Sequence, residues 1–357
     1  MSQERSPHRT SDTPQAFWIT GPATGEIRPA EQAEALGAEP WVEVQTLYTG
    51  ISRGTESLVY LGQIPVSEYQ RMRAPFQWGE FPFPVCYGYA NVGRVLNGPE
   101  HLRGRDVFTL FPHQTHFRVP AAAVHPLPHD VPAARAVLAA NMETAVNGLW
   151  DASPQVGDRI AVVGCGVVGS LMAYLASRIP GTQVTAVDTD AARLPLLEGL
   201  GVRFVTQCHD NDFDLVIHAS GHPDGLRTAL ALAGQEARVV EMSWYGDREV
   251  TLPLGGAFHA RRLKLCSSQV GTVSPVQSSR WDYGRRLGLA LSLLADPALD
   301  TLISGESQFA DLPATMARLS QAGSGELCHR IAYPAAHAAA GSPPSEQGSP
   351  NVQPDRA

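Results

Sequence analysis

The chain has 357 residues, 43% of them hydrophobic and 17% charged, which is enough apolar material for two domains or one large α/β unit and excludes wholesale disorder. Its formal net charge is −8, with 27 Lys plus Arg against 35 Asp plus Glu and no basic stripe, which argues against nucleic acid as a partner. Only one of those cations is a lysine, Lys264, so no phosphate loop ending in Gly-Lys-Ser/Thr exists, and no apolar run approaches the roughly 18 residues of a membrane span.

Residues 1–15 are polar and aperiodic, and 335–357 are rich in Ala, Pro, Ser and Gly. Both read as disordered tails. Between 16 and 128 short strands are broken by Gly and Pro. Residues 41–47 alternate with period two, and 91–96, 106–111 and 116–119 read the same way, punctuated by Pro82, Pro84, Pro112 and Pro120. This predicts an antiparallel β segment. The texture changes near Val131: 133–150 is Ala-rich with helical spacing. An alternating series follows, with strands at 159–163, 183–187, 203–205, 215–217, 239–242 and 263–267 and helices at 168–178 and 191–199. Such alternation predicts a doubly wound parallel sheet. A helix at 281–294, a helix at 312–319 and a strand at 327–333 close the chain. The five cysteines (Cys86, Cys165, Cys208, Cys266, Cys328) are scattered without a C-x-x-C pair. They write neither a zinc knuckle nor a redox dithiol and, with no leader segment, suit a reducing cytoplasm.

The strongest motif is Gly164-Cys165-Gly166-Val167-Val168-Gly169, directly after the strand 159–163 and opening a helix. In that context Gly164 permits the tight turn, Gly166 admits a pyrophosphate to the backbone, and Gly169 lets helix pack on sheet. The N–H groups around Val167 and Val168, at the helix start, face the phosphates. Asp188 ends the next strand, where a carboxylate accepts hydrogen bonds from a ribose diol and repels a 2′-phosphate. This favours NAD over NADP, with Arg193 weakening the preference slightly. Ser220 and Ser243 follow later strands at their carboxyl ends, where nicotinamide neighbours are expected. An S-adenosylmethionine site also uses a glycine-rich first turn, but the β-rich region in front argues against it.

With these motifs the stretch 16–333 resembles the medium-chain dehydrogenase/reductase superfamily, of the zinc alcohol dehydrogenase type. Residues 50–56, Gly-Ile-Ser-Arg-Gly-Thr-Glu, are similar to the family's G-I-C-G-T-D segment, and 84–93, Pro-Val-Cys-Tyr-Gly-Tyr-Ala-Asn-Val-Gly, to its P-x-x-x-G-H-E-x-x-G segment. Residues 104–108 are similar to its G-D-R-V strand with two residues transposed. The run 52–56 looks like the branch that contains bacteriochlorophyllide hydroxyethyl dehydrogenase. The resemblance implies an α/β chain with a GroES-like β domain, 16–130 and 301–334, and a Rossmann nucleotide-binding domain, 131–300, between its two parts. It also implies a homodimer joined at the last sheet strand.

The departures fall on the metal ligands. Ser52, or Arg53 with a shifted gap, stands where the family has its first cysteine, and Tyr89-Ala90 replaces the His-Glu pair. The third position falls near Asn141 or Glu143, and the four-cysteine lobe is missing. The expectation is therefore no zinc, catalytic or structural. Without a metal, an oxyanion must be held by hydrogen bonds. Tyr89 is the candidate proton donor or acceptor, with Ser52 as its partner or a substrate anchor, Arg53 as the cation that would lower its pKa, and Glu56 and Glu143 as further candidates. Glu56 also reads as a solvated carboxylate, Glu143 as the salt-bridge partner of an arginine, and His113 and His116 as exposed loop residues. Trp78, Phe76, Phe81, Phe83 and Trp244 suit a broad or ring-shaped ligand, or simply fill the β domain.

The leading reading is a zinc-independent, NAD(H)-dependent oxidoreductase acting on a small-molecule alcohol or carbonyl. Competing readings are an NADPH-dependent quinone or enone reductase, a zinc alcohol dehydrogenase with rearranged ligands drawn from Cys86, His113 or His116, and a nucleotide-binding protein without catalysis.

Overall fold

The computed structural model describes residues 13–30, 39–321 and 323–334. The expected tails lie outside that range except for 13–15, and Gln15 opens a strand, Gln15–Gly21.

The β domain is built on the 11-residue strand Trp41–Ile51, whose first six residues alternate between half-buried and buried. Val42 and Val44 point into the core, as period two requires. One edge of this strand pairs antiparallel with Asn91–Asn97. Its other edge pairs with His116–Pro120 through 41–45 and with Cys328–Ala332 through 48–51. Cys328–Ala332 in turn pairs with Ile303–Gln308, so the end of the described chain returns to the sheet built on Trp41–Ile51. A second, four-stranded sheet holds Thr24–Pro29, Gln15–Gly21, Val85–Cys86 and Trp78–Gly79. Its strands at 15–29 and the helix Arg53–Leu61 have no counterpart in the sequence reading.

The second domain is a six-stranded sheet with every pairing parallel. Its spatial order is Arg203–Val205, Gln183–Val187, Arg159–Val163, Phe213–His218, Ala233–Glu241, Lys264–Ser267. In chain order that is third, second, first, fourth, fifth, sixth, the arrangement in which the direction of winding reverses between the first and fourth strands. Helices cover both faces, so Ile160, Ala161 and Val162 are all fully buried, and the strand is continuously apolar rather than alternating. The helix expected over 133–150 is two, Ala133–Ala136 and Ala139–Ala152. The last strand, Lys264–Ser267, is exposed at all four residues and has no outer neighbour among the described residues. No described helix is long and apolar enough to cross a membrane.

Candidate active site and nucleotide crevice

The winding reversal puts the ends of Arg159–Val163 and Phe213–His218 side by side, with Val163 in register with His218. The glycine turn leaves the first of these strands. Gly164 has φ +99°, and a Cβ there would collide with the backbone of Ser220. A Cβ on Gly169 would collide with the Gly164 carbonyl oxygen. Gly166, the N-cap of the helix Val167–Ala176, faces open space instead. The turn is thus closed where helix meets sheet and open where a pyrophosphate would approach.

Asp188 and Arg193 flank this opening. The Asp188 carboxylate accepts from Cys165 N at 2.7 Å and from Asp190 N at 2.9 Å, which fastens the end of its strand to the glycine turn. Each oxygen keeps a second lone pair for a ribose hydroxyl. Arg193 lies 3.4 Å from Asp190. Arg53 approaches from the β domain and donates to Ser324 Oγ at 2.7 Å. Burial, and then the positive charge of Arg193, lower the Arg53 pKa, with Glu326 opposing. Two guanidinium groups from different domains therefore share one desolvated place beside the turn, a suitable setting for an anion. Arg53 is a correction to the sequence reading, since it does not act on Tyr89.

Tyr89 stands at the seam of the domains, its ring packed against the apolar cores of both. The side chains of Ser52 and Thr55 lie close enough to its phenol to favour the ionised form. Asn141 Nδ2 donates in turn to Ser52 Oγ at 3.5 Å. Burial first, and the nearby Glu56 charge second, push the Tyr89 pKa up to about 12 against those two side chains. This overturns the expectation of a lowered pKa. At neutral pH Tyr89 is a phenol, suited to donating a proton and poorly suited to taking one.

Glu56 is not a solvated carboxylate. It is 2% exposed, accepts from Ser52 N at 2.7 Å, and pairs with His113 Nε2 at 2.9 Å. His113, expected in an exposed loop, is 1% exposed, and its Nδ1 lies 2.6 Å from Thr49 Oγ1. A Cβ on Gly88 would press on the His113 ring, so the glycine before Tyr89 makes room for this pair. His116 is partly buried beside Glu43 at 3.4 Å. Glu143 is also turned away from Tyr89. It pairs with the buried Arg286 at 3.0 Å, and Arg286 donates to Val270 O at 2.7 Å and Asn147 Oδ1 at 2.6 Å. That pair clamps the segment after the last sheet strand onto the helix Ala139–Ala152.

Ser220 and Ser243 come together at the ends of the fourth and fifth strands. Gly221 N donates to Ser243 Oγ at 3.0 Å, and Ser220 Oγ lies 2.6 Å from His218 Nε2. The segment continues through Trp244, which packs on the β-domain core, to Gly246, where a Cβ would meet the Gln63 carbonyl at the end of the helix Arg53–Leu61. Phe81 and Phe83 belong to the same core, whereas Phe76 packs against Phe111 in a separate cluster. The sequence reading missed Thr55, His218 and Glu241. Their signal was present as polar residues at strand ends and helix starts, but it gained meaning only once partners far along the chain were in place.

Among the described residues no three His, Cys, Asp or Glu side chains converge as a metal site. The positions that resemble the zinc enzymes' ligands hold Ser52 or Arg53, Tyr89, and Asn141 or Glu143; Glu143 is paired with Arg286 and Arg53 is a cation, which leaves two hydroxyls and an amide, a donor set that does not fit zinc.

No family model matches the chain. It is 27% identical over 150 residues to L-threonine 3-dehydrogenase of Bacillus velezensis, covering 38% of this chain and 43% of that relative. The chain spans about half, or less, of the length of the curated relatives it matches. Among solved structures, an alcohol dehydrogenase (rspB) of Escherichia coli CFT073 complexed with NADH aligns with TM-score 0.71 and 16% identity, over 90% of this chain and all of that one. A zinc-binding dehydrogenase of Sinorhizobium meliloti 1021 bound to NADP gives TM-score 0.70 at 16% identity with the same coverage. The chain therefore has the fold of these dehydrogenases, a GroES-like β domain joined to a doubly wound nucleotide-binding domain.

Proposed function

We propose that this chain is an oxidoreductase that uses a nicotinamide dinucleotide, NAD(H) by preference, to interconvert an alcohol and a carbonyl compound without zinc. The observation that carries the reading is the glycine turn at the winding reversal, closed at Gly164 and Gly169 and open at Gly166. The residues fit the cofactor. Gly166, Val167 and Val168 offer backbone to the phosphates, Arg53 and Arg193 offer countercharge, and Asp188 offers a carboxylate to the adenosine ribose. A 2′-phosphate would meet that same carboxylate, hence the preference for NAD(H). The sequence similarity to dehydrogenases and the shared fold support the reading.

When bound, the dinucleotide supplies or accepts the hydride. The chain supplies the proton. Asn141 donates to Ser52 and holds that side chain in place. On this reading the Ser52 and Thr55 side chains beside the Tyr89 oxygen donate to it and leave its hydrogen for the oxygen of a carbonyl substrate. Glu56 and His113 fix the start of the helix that carries Ser52 and Thr55. A carbonyl oxygen gaining charge is thus met by a preorganised donor, the role a metal would otherwise fill. Phe83 and Trp244 are partly buried against the β-domain core, and the apolar surface they leave would suit a substrate with a broad or ring-shaped apolar part.

The exposed edge Lys264–Ser267 is the surface through which we expect two copies to associate. All five cysteines are free thiols, which suits a reducing compartment such as the cytoplasm. The deciding experiment is NADH- and NADPH-dependent reduction of an aldehyde, ketone and enone panel by chelator-treated protein. Turnover with NADH supports the proposal. Loss of activity on chelation with recovery on adding zinc refutes the metal-free site, and binding without turnover leaves a nucleotide sensor.

A further inference from the structure

The second hydrogen-bonded array of the cleft, around Ser220, has a direction. His218 has no exposed surface, and its Nδ1 lies 2.8 Å from both oxygens of Glu241. Burial acts to raise the Glu241 pKa, but the His218 ring and the Ser243 N–H outweigh it and hold this carboxyl below its ordinary value. A carboxylate only accepts, so Nδ1 carries the hydrogen, and in the neutral ring Nε2 is an acceptor. With the ring neutral, the Ser220 hydroxyl, 2.6 Å from Nε2, donates its one hydrogen to His218, whereas an imidazolium would reverse that bond and leave Ser220 a donor. The His222 N–H donates to Ser220 Oγ at 3.2 Å and occupies one lone pair. One lone pair remains and no donor, on an exposed side chain beside Gly164.

The array is locked in that sense. Glu241 also accepts from Ser243 N at 2.7 Å and from the Tyr245 hydroxyl at 3.1 Å. A Cβ on Gly225 would press on both Ser220 Oγ and His218 Nε2, so the glycine there leaves just enough room for the contact. Nothing in the glycine turn requires such an array. An acceptor presented on the nicotinamide side of the winding reversal matches what that half of the cofactor offers, namely N–H and O–H donors.

We propose that the His218–Glu241 dyad fixes Ser220 as a hydrogen-bond acceptor for the nicotinamide half of a bound dinucleotide, the donor being its carboxamide N–H or a ribose hydroxyl. The inference rests on the nucleotide reading above. Ser220 is the specificity residue, and His218 and Glu241 are positioning residues that act through it.

The test is titration of the full chain with NADH, ADP-ribose and ADP, the last lacking the whole nicotinamide half. The variants are Ser220→Ala, His218→Asn and the double substitution; asparagine keeps an N–H for Glu241 but cannot reach Ser220. Each single substitution should weaken NADH about tenfold, the loss of one hydrogen bond, and leave ADP unchanged. The double variant should lose no more than Ser220→Ala alone, because the two residues act as one unit. Parallel weakening of ADP-ribose assigns the donor to the ribose, and unchanged ADP-ribose assigns it to the carboxamide; both support the proposal. Unchanged NADH affinity, additive losses, or an equal loss for ADP overturns it. If His218→Asn does not fold, the ratio of NADH to ADP affinity in Ser220→Ala decides alone. Failure of the unaltered chain to bind NADH and ADP refutes the nucleotide reading itself, whereas binding that ignores Ser220 refutes only this inference.

Discussion

Tyr89 carries the chemistry proposed for the cleft, and its protonation can be tested without knowing the substrate. Burial and Glu56 raise it from 10.0 to about 12, which corresponds to about 3 kcal/mol against the phenolate. At pH 7 roughly one molecule in 100,000 carries the phenolate. Carbonyl reduction, which needs the phenol, should then be independent of pH through the neutral and mildly alkaline range. Alcohol oxidation, which needs a base, should rise about tenfold per pH unit over that range with no break below about pH 11. The tyrosinate absorbance of the native chain minus that of Tyr89→Phe should show the same late titration with nothing bound. In turnover, Tyr89→Phe should slow reduction by about 100- to 10,000-fold while leaving NADH affinity intact. Glu56→Gln removes the second cause and should move the titration down toward 10, burial holding it above that value. A tyrosinate midpoint at or below 10 in the native chain, or full turnover by Tyr89→Phe, would refute the reasoning.

Two further outcomes follow from the packing. Glu143→Ala leaves Arg286 charged and unpaired in the interior, so stability should fall by about 3–5 kcal/mol in denaturant unfolding, with nucleotide affinity of the folded fraction unchanged; a selective loss of turnover at full stability would return Glu143 to the chemistry. Gly169→Ala drives a methyl group into the Gly164 carbonyl and should displace the helix start, abolishing NADH binding by calorimetry or preventing folding, and ordinary affinity would refute the close packing.

The second domain was largely legible in the sequence because its signals are local. The apolar strand before Gly164, the glycine spacing and Asp188 all lie within about 30 residues, the span of one strand–helix–strand unit. The site in the β domain was legible only as a set of replacements. Ser52 and Tyr89 could be named because the segments around them resemble known ones, but the direction of the Tyr89 pKa could not. It depends first on how deeply the phenol is buried and then on Glu56, which is itself buried against His113, 57 residues away. A histidine in a Phe-Pro-His-Gln-Thr-His segment looks solvated until Gly88 and Thr49 are seen to enclose it. Glu143 could be read as a substrate-orienting group or as the salt-bridge partner of an arginine, and the choice between the two was not legible because Arg286 lies 143 residues further on. The strands at 15–29 carry Gly, Pro and charged residues and lie in an edge sheet, where strand pairing rather than apolar alternation holds them.

The outer strand Lys264–Ser267 also bears the chain's only ε-amino group, exposed and remote from the cleft. Amine-directed acylation therefore addresses a single side chain, and the α-amino group, whose ordinary pKa is about 8 against about 10.4 for lysine, can be blocked first at near-neutral pH. A fluorophore at Lys264 would sit on the face through which a second copy is expected to associate. Its reaction rate, measured across a protein dilution series, becomes a direct footprint of that contact: slow where the edge is covered, fast where the chains have come apart.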